Sequence, residues 1–156
     1  MLFMLCLKYC RNEAEAEDNL HNAFIEIFTS IGNYKNNGSF EGWMKRITIN
    51  KAIDSFKKTL QLVPVKDDLT DDGVVTGEEM NLPADYILLL VQQLPDQYRL
   101  VFSLYELDDY SHKEIAEMLS ISESTSKSNL HRAKAILKEK ITNRHSYHNY
   151  SVNHGK

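Results

Sequence analysis

The chain has 156 residues, enough for one domain or two very small ones. Hydrophobic residues make up 42%, which supplies a core, but no apolar run approaches the roughly 20 residues that span a bilayer, so membrane insertion is excluded. The formal net charge of −4 argues against a chain that is basic throughout, yet the charge is unevenly placed. Residues 35–58 hold six cations against two acids, residues 124–144 hold six against one, and residues 59–83 between them hold one cation against six acids. Two basic segments separated by an acidic one point to a polyanionic partner that the net charge conceals.

The pattern is helical from end to end, and no strand alternation of useful length occurs. Leu2 to Cys10 reads as a short first helix. Cys6 and Cys10 lie four apart on it without the second pair a zinc site needs, and are read as thiols in a reducing cytosol. Glu13 to Ile31 is a second helix, with Leu20, Phe24, Ile27 and Ile31 as its apolar stripe and acids in its first turn. Gly32 ends it, and the loop GNYKNNGS carries an Asn-Gly turn signal. Ser39 caps a third helix reaching about Leu60. Residues 61–83, acidic and carrying Pro64, Gly73, Gly77 and Pro83, read as a linker. Ala84 to Leu94 forms the next helix, and Pro95 opens another that runs to Leu107. Ser111 caps His112 to Leu119, and a last helix runs from Glu123 to about Thr142. The remaining residues, 143–156, read as a disordered tail whose His145, His148 and His154 carry no metal motif. The expected fold is all-α: two small helical domains over 1–60 and 84–142, joined by an acidic linker.

Two faces carry the chemistry. Projected at about 100° per residue, the last helix puts Leu130, Ala133, Leu137 and Ile141 on one side. Ser124, Lys127, Ser128, His131, Lys134 and Lys138 lie opposite, flanked by Arg132. Hydroxyls near the N-terminus followed by cations suit a helix entering a major groove, where its first residues reach base edges and its cations meet phosphates. With Ile115, Ala116 and Leu119 before it and Ile121 in the turn, this is a helix-turn-helix pattern. Ser126 falls on the apolar side. A bond back to the carbonyl of Ser122 would satisfy it, and Ser126→Val is then expected to stabilise this unit.

The third helix carries the other face. Trp43 and Ile47 continue into Asn50, Lys51, Asp54, Lys57 and Lys58, with Arg46 nearby. A ring, an amide, a carboxylate and cations in line resemble a nucleic-acid surface, with the ring available for stacking. Asn33, Asn36 and Asn37 in the preceding loop suit an unstacked base. Phosphate loops, zinc spacings, nucleophile elbows and carboxylate pairs in apolar settings are all missing from the sequence, so neither an enzyme nor a cofactor is expected.

Both blocks resemble bacterial RNA polymerase sigma factors of the extracytoplasmic-function type, within the sigma-70 family. The first is EAEDNLHNAFIEIF followed by SFEGWMKRITINKAIDSFKK, and the second is LPDQYRLVFSLYELDDYSHKEIAEMLSISESTSKSNLHRAKAILKEKI. The resemblance implies a cytoplasmic initiation factor that binds core RNA polymerase and promoter DNA and is held by an anti-sigma factor. It implies that Glu15, Asp18, His21 and Asn22 face the polymerase. Asn36, Asn37, Trp43, Arg46, Asn50, Lys51, Asp54, Lys57 and Lys58 would handle the element ten bases upstream of the start. Ser124, Thr125, Lys127, Ser128, His131 and Arg132 would handle the element thirty-five bases upstream. His21 and Asn22 stand where Gln and Glu are usual, Ser120 where the turn has Gly, Ser126 where it has Val, and Asn129 where it has Arg. The alternative is a sigma-like bundle that binds an anti-sigma factor or regulator without initiating transcription.

Overall fold

The computed structural model describes residues 1–60 and 83–153, with side chains described through Thr59 and from Pro83 to Asn143. The expected linker therefore lies outside the described residues, Pro83 excepted. Seven α-helices are described: α1 (Leu2–Tyr9), α2 (Glu13–Ser30), α3 (Phe40–Leu60), α4 (Ala84–Gln92), α5 (Asp96–Phe102), α6 (His112–Leu119) and α7 (Glu123–Asn153). Helices α1 to α3 are taken as one group and α4 to α7 as the other.

Local signals set most of these bounds. Asn12 opens α2 by accepting the Glu15 N–H at 2.9 Å, and Ser39 accepts the Gly42 N–H at 3.2 Å at the start of α3. Ser111 and Glu114 form a reciprocal capping box on α6. Ser120, at φ 58°, ends α6 in the left-handed region, where glycine would be free of strain.

Three details depart from the sequence reading. After α5 the chain continues as a single π-turn, Ser103–Leu107, in place of a regular helix. Helix α7 extends to Asn153, past Thr142 and through most of the segment expected to be disordered. Neither Gly nor Pro occurs in that stretch, so nothing in it stops a helix already nucleated upstream. The buried face of α2 matches the expected one only in part. Ile27 is buried and Leu20 packs against the core as expected, but Phe24 and Ile31 are exposed, and Ala16, Asn19 and Ala23 point inward in their place. The alanines let α1 and α3 approach closely. Asn19 fills the space between them, donating to the Thr48 carbonyl at 3.2 Å and to Cys6 Sγ at 3.4 Å.

The principal core crosses both groups. Leu2, Leu5 and Tyr9 of α1 join Ile49, Ala52 and Ile53 of α3 with Leu100, Val101 and Ile115 of the second group. A separate cluster of Leu90, Val91, Leu94, Ala133 and Leu137 holds α4 to α7. Each group is small, and units of about 60 residues bury too little surface to be robust alone. The shared core supplies apolar burial that neither group has by itself, with α1 as the common element.

Candidate nucleic-acid interface

Helices α6 and α7, with the turn Ser120–Ser122, build the helix-turn-helix. Ile115 and Leu119 of α6 and Leu130 of α7 are buried in one core cluster. The entry to α7 is fixed by Ser122, whose hydroxyl accepts the Thr125 N–H at 2.9 Å and lies 2.8 Å from the Thr125 hydroxyl. Ser124, Thr125, Lys127 and Ser128 are exposed on one side of the first turns of α7. His131 and Arg132 follow, half-buried, and Arg132 donates to the Tyr98 hydroxyl at 3.3 Å. Hydroxyls are thus presented first and cations along the flank, in the order the sequence predicts. Tyr98, which steers Arg132 from α5, had no signal in the local pattern.

Ser126 is fully buried, but its partner is not the one expected from sequence. Its Oγ lies 2.9 Å from Nδ1 of His112, the first residue of α6. That imidazole stacks on Tyr105 with ring centroids 4.4 Å apart. The serine therefore ties α7 to α6 and, through the ring, to the π-turn. Burial and then the nearby Lys127 lower the His112 pKa below 6.5, with Glu123 opposing them. Asn129 is buried next on the same face, and its amide nitrogen has no hydrogen-bond partner.

The α3 face is assembled on a different support. Trp43 is half-buried against the core and flanked by Tyr34 at 5.3 Å and Phe40 at 5.5 Å. The Tyr34 hydroxyl donates to the Gly38 carbonyl at 2.7 Å and braces the loop that carries Asn36 and Asn37, both exposed. Asn36 (φ 55°) and Gly38 (φ 99°) take left-handed conformations that an Asn-Gly turn supplies. The aromatic trio and the two amides form a platform of stackable rings beside hydrogen-bonding groups. Phe40 stands three residues before Trp43 on the same stripe of α3, but Tyr34 lies in the preceding loop, outside any helical register, and was missed in the sequence.

Beyond the trio, Arg46, Asn50, Asp54 and Lys58 are exposed, and Lys51 and Lys57 are half-buried. Lys51 pairs with Glu26 of α2 at 3.0 Å, and Lys57 donates to the Ser120 hydroxyl at 3.3 Å. Lys51, Asp54, Lys57 and Lys58 line a cleft of about 630 Å³ whose other wall includes Asp96 and Arg99 of α5.

A third surface lies on α2. Glu15, Asp18, His21 and Asn22 are all exposed there. Phe24, Ile25 and Phe28 extend this surface with exposed apolar area, Phe28 being 70% accessible and stacked on Phe24 at 6.0 Å. Phe24 was expected in the core stripe, so its exposure is a finding of the structure. An amphipathic helix with bare aromatics beside acids has the composition of a protein-docking surface.

Cys6 and Cys10 are buried, and burial raises both thiols, Cys10 to about 12 with Cys6 and Glu15 adding to it, so both stay protonated. Among the described residues no cluster of three His, Cys, Asp or Glu is placed to hold a metal, and no helix is long and apolar enough to cross a membrane.

Comparison with known proteins shows the family. The family model described as Sigma-70 region 2 matches residues 1–60, and that described as Sigma-70, region 4 matches residues 84–137. The chain is 32% identical over 160 residues to the ECF RNA polymerase sigma factor SigW of Bacillus subtilis (strain 168), covering 90% of this chain and 82% of that protein. It is 28% identical over 143 residues to SigM of the same organism, covering 88% and 86% respectively. In fold it is similar to the sigma factor RpoE solved with the anti-sigma factor NepR from Bartonella quintana. The TM-score is 0.59 at 17% identity, over 90% of this chain and 89% of that one. It is also similar to CnrH solved with the cytosolic domain of CnrY, with a TM-score of 0.52 at 19% identity, over 90% and 80%.

Proposed function

The chain belongs to the extracytoplasmic-function RNA polymerase sigma factors, non-enzymatic initiation factors that direct the polymerase to promoters, and we propose how its three surfaces divide that work. The α2 surface binds core RNA polymerase, with Glu15, Asp18, His21 and Asn22 as polar contacts and Phe24, Ile25 and Phe28 as the apolar centre. The α3 face takes the element ten bases upstream: Trp43 with Tyr34 and Phe40 stacks an unpaired base, Asn36 and Asn37 read its edge, and Arg46, Lys51, Lys57 and Lys58 grip phosphates around Asn50 and Asp54. The first turns of α7 enter the major groove of the element thirty-five bases upstream, with Ser124, Thr125, Ser128 and His131 toward the bases and Lys127 and Arg132 toward phosphates. Each half, 1–60 and 84–142, works as one recognition domain.

The observation that carries this reading is that each matched region coincides with one cationic face of complementary chemistry: a stacking platform on the first, a groove-entering helix on the second. Cytoplasmic location follows from the chromosomal target. An anti-sigma factor is the proposed regulator, since the fold neighbour RpoE was solved bound to one.

Transcription by core polymerase tests the proposal. Adding the chain should give initiation from a defined class of promoters, and Phe28→Ala should reduce it by weakening core binding while leaving the affinity for promoter duplex unchanged. Equal core binding by wild type and Phe28→Ala would remove α2 from the polymerase interface.

A further inference from the structure

The cations of α7 are not equivalent. Lys127 is exposed near its start. Arg132 bonds the neutral Tyr98 hydroxyl, and Lys140 donates to the neutral Gln93 amide oxygen at 3.0 Å, so neither contact compensates the charge. Lys134 differs. Its ammonium lies 2.6 Å from a carboxylate oxygen of Glu106, in the π-turn. Lys134 stands seven residues after Lys127, so both lie on one side of α7, about 10 Å apart along the axis. It extends the cationic flank assigned above to phosphates.

Glu106 is held where it stands. The first two residues of the π-turn, Ser103 and Leu104, are fully buried, and the Tyr110 N–H returns to the Leu104 carbonyl at 2.9 Å. Tyr105 stacks on the His112 ring with planes 19° apart, and His112 meets Ser126 of α7. The contacts form a closed circuit: α7 at Ser126, α6 at His112, the π-turn at Tyr105 and Glu106, and α7 again at Lys134. Two consecutive residues of one irregular turn thus grip both helices of the DNA-reading motif.

The Lys134–Glu106 pair is partly open to water, with 43% of the lysine side chain and 31% of the glutamate side chain accessible. Such a pair adds little to stability. A carboxylate offers an ammonium the same charge-assisted bond that a phosphate oxygen offers, so the two compete for Lys134.

We propose that Lys134 is a DNA-backbone contact of α7 and that Glu106 is a positioning residue that withholds it. Glu106 thereby sets how strongly α7 holds DNA without changing which bases it prefers. The inference rests on the assignment of α7 to duplex DNA made above. Withholding one phosphate contact lowers affinity for every sequence alike, and so keeps the attraction for arbitrary DNA low. Neither residue is among the groups assigned above to bases.

The test uses the full chain and a mixed-sequence DNA duplex, titrated between about 50 and 200 mM salt. Glu106→Gln keeps the shape of the side chain and removes its charge. It should raise affinity about two- to fivefold. It should also steepen the fall of log affinity with log salt by about 0.9, the share of one phosphate. Removing a negative charge anywhere near α7 favours DNA, so the same change is made in Lys134→Gln. There it should leave the slope unchanged and lose most of the gain in affinity. Base preference, read by selection from a randomised duplex pool, should be the same in wild type and Glu106→Gln. Circular dichroism and the melting temperature check the fold, and Glu106→Ala covers the case in which the new amide oxygen still holds Lys134. Unchanged affinity in both Glu106 variants overturns the proposal, as does an equal gain with and without Lys134. A loss of affinity in step with a lower melting temperature makes the pair a structural brace and overturns it too. No binding of duplex by the wild type overturns the assignment of α7, and this inference with it.

Discussion

Substituting Ser126 tests the packing of the helix-turn-helix at its least typical residue. The site is fully buried and the hydroxyl lies 2.9 Å from His112 Nδ1. Ser126→Ala removes one hydrogen bond, worth about 0.5–1.5 kcal/mol net. Ser126→Val removes the same bond and forces extra carbon into a closed site, an overpacking cost of about 1–3 kcal/mol. Two newly buried methyl-sized groups return roughly 1.5 kcal/mol. Ser126→Val should therefore destabilise the chain by about 1–2 kcal/mol, the reverse of what its place on an apolar stripe suggests. At about 2–4 °C per kcal/mol for a chain of this size, the melting temperature should fall by about 2–8 °C. The specific claim is the pairing, which a double-mutant cycle isolates. His112→Phe keeps a ring stacked on Tyr105 while removing Nδ1, and its coupling to Ser126→Ala in urea unfolding should be about 0.5–1.5 kcal/mol. A higher melting temperature for Ser126→Val, or a coupling within about 0.3 kcal/mol of zero, would refute the reasoning.

Two further outcomes follow from the same region. Ser120→Gly removes a left-handed strain of about 1 kcal/mol and should raise stability by nearly that amount, measured by urea unfolding; a loss would mean the Lys57–Ser120 bond outweighs the strain. His112 has a folded pKa below 6.5, so its contribution is fully present above that value and is lost as pH falls through the folded one. Unfolding at pH 7.5 and 5.5 should show a larger loss of stability for wild type than for His112→Phe, and equal losses would contradict the assignment.

Much of this architecture was legible before any coordinates. Local signals fix local structure: Ser111 before His112 and Ser39 before Phe40 marked helix starts, and apolar spacing marked the buried side of α7. Long-range pairing was not legible. His112 and Ser126 meet across a turn, and no periodicity records which polar group on α6 faces a buried serine. On α2 the spacing of Phe24 and Ile31 suggested a core stripe. The small residues Ala16 and Ala23 and the bonded Asn19 win the inward face instead, because they let three helices approach. The pairing of Arg11 with Asp96 is another such case: they are 85 positions apart and each reads as an ordinary surface charge. The aromatic trio was partly legible, since Phe40 and Trp43 stood in register on α3 and only Tyr34 came from the loop.

The account stands most directly on the separate assignment of α3 and α7 to two promoter elements. The decisive measurement is transcription by core polymerase from a library randomised at both elements, comparing wild type with Ser128→Ala and with Asn50→Ala. Ser128→Ala should relax base preference only at the element thirty-five bases upstream, and Asn50→Ala only at the element ten bases upstream. Unchanged preferences in both variants, or a shift at the opposite element, would contradict it.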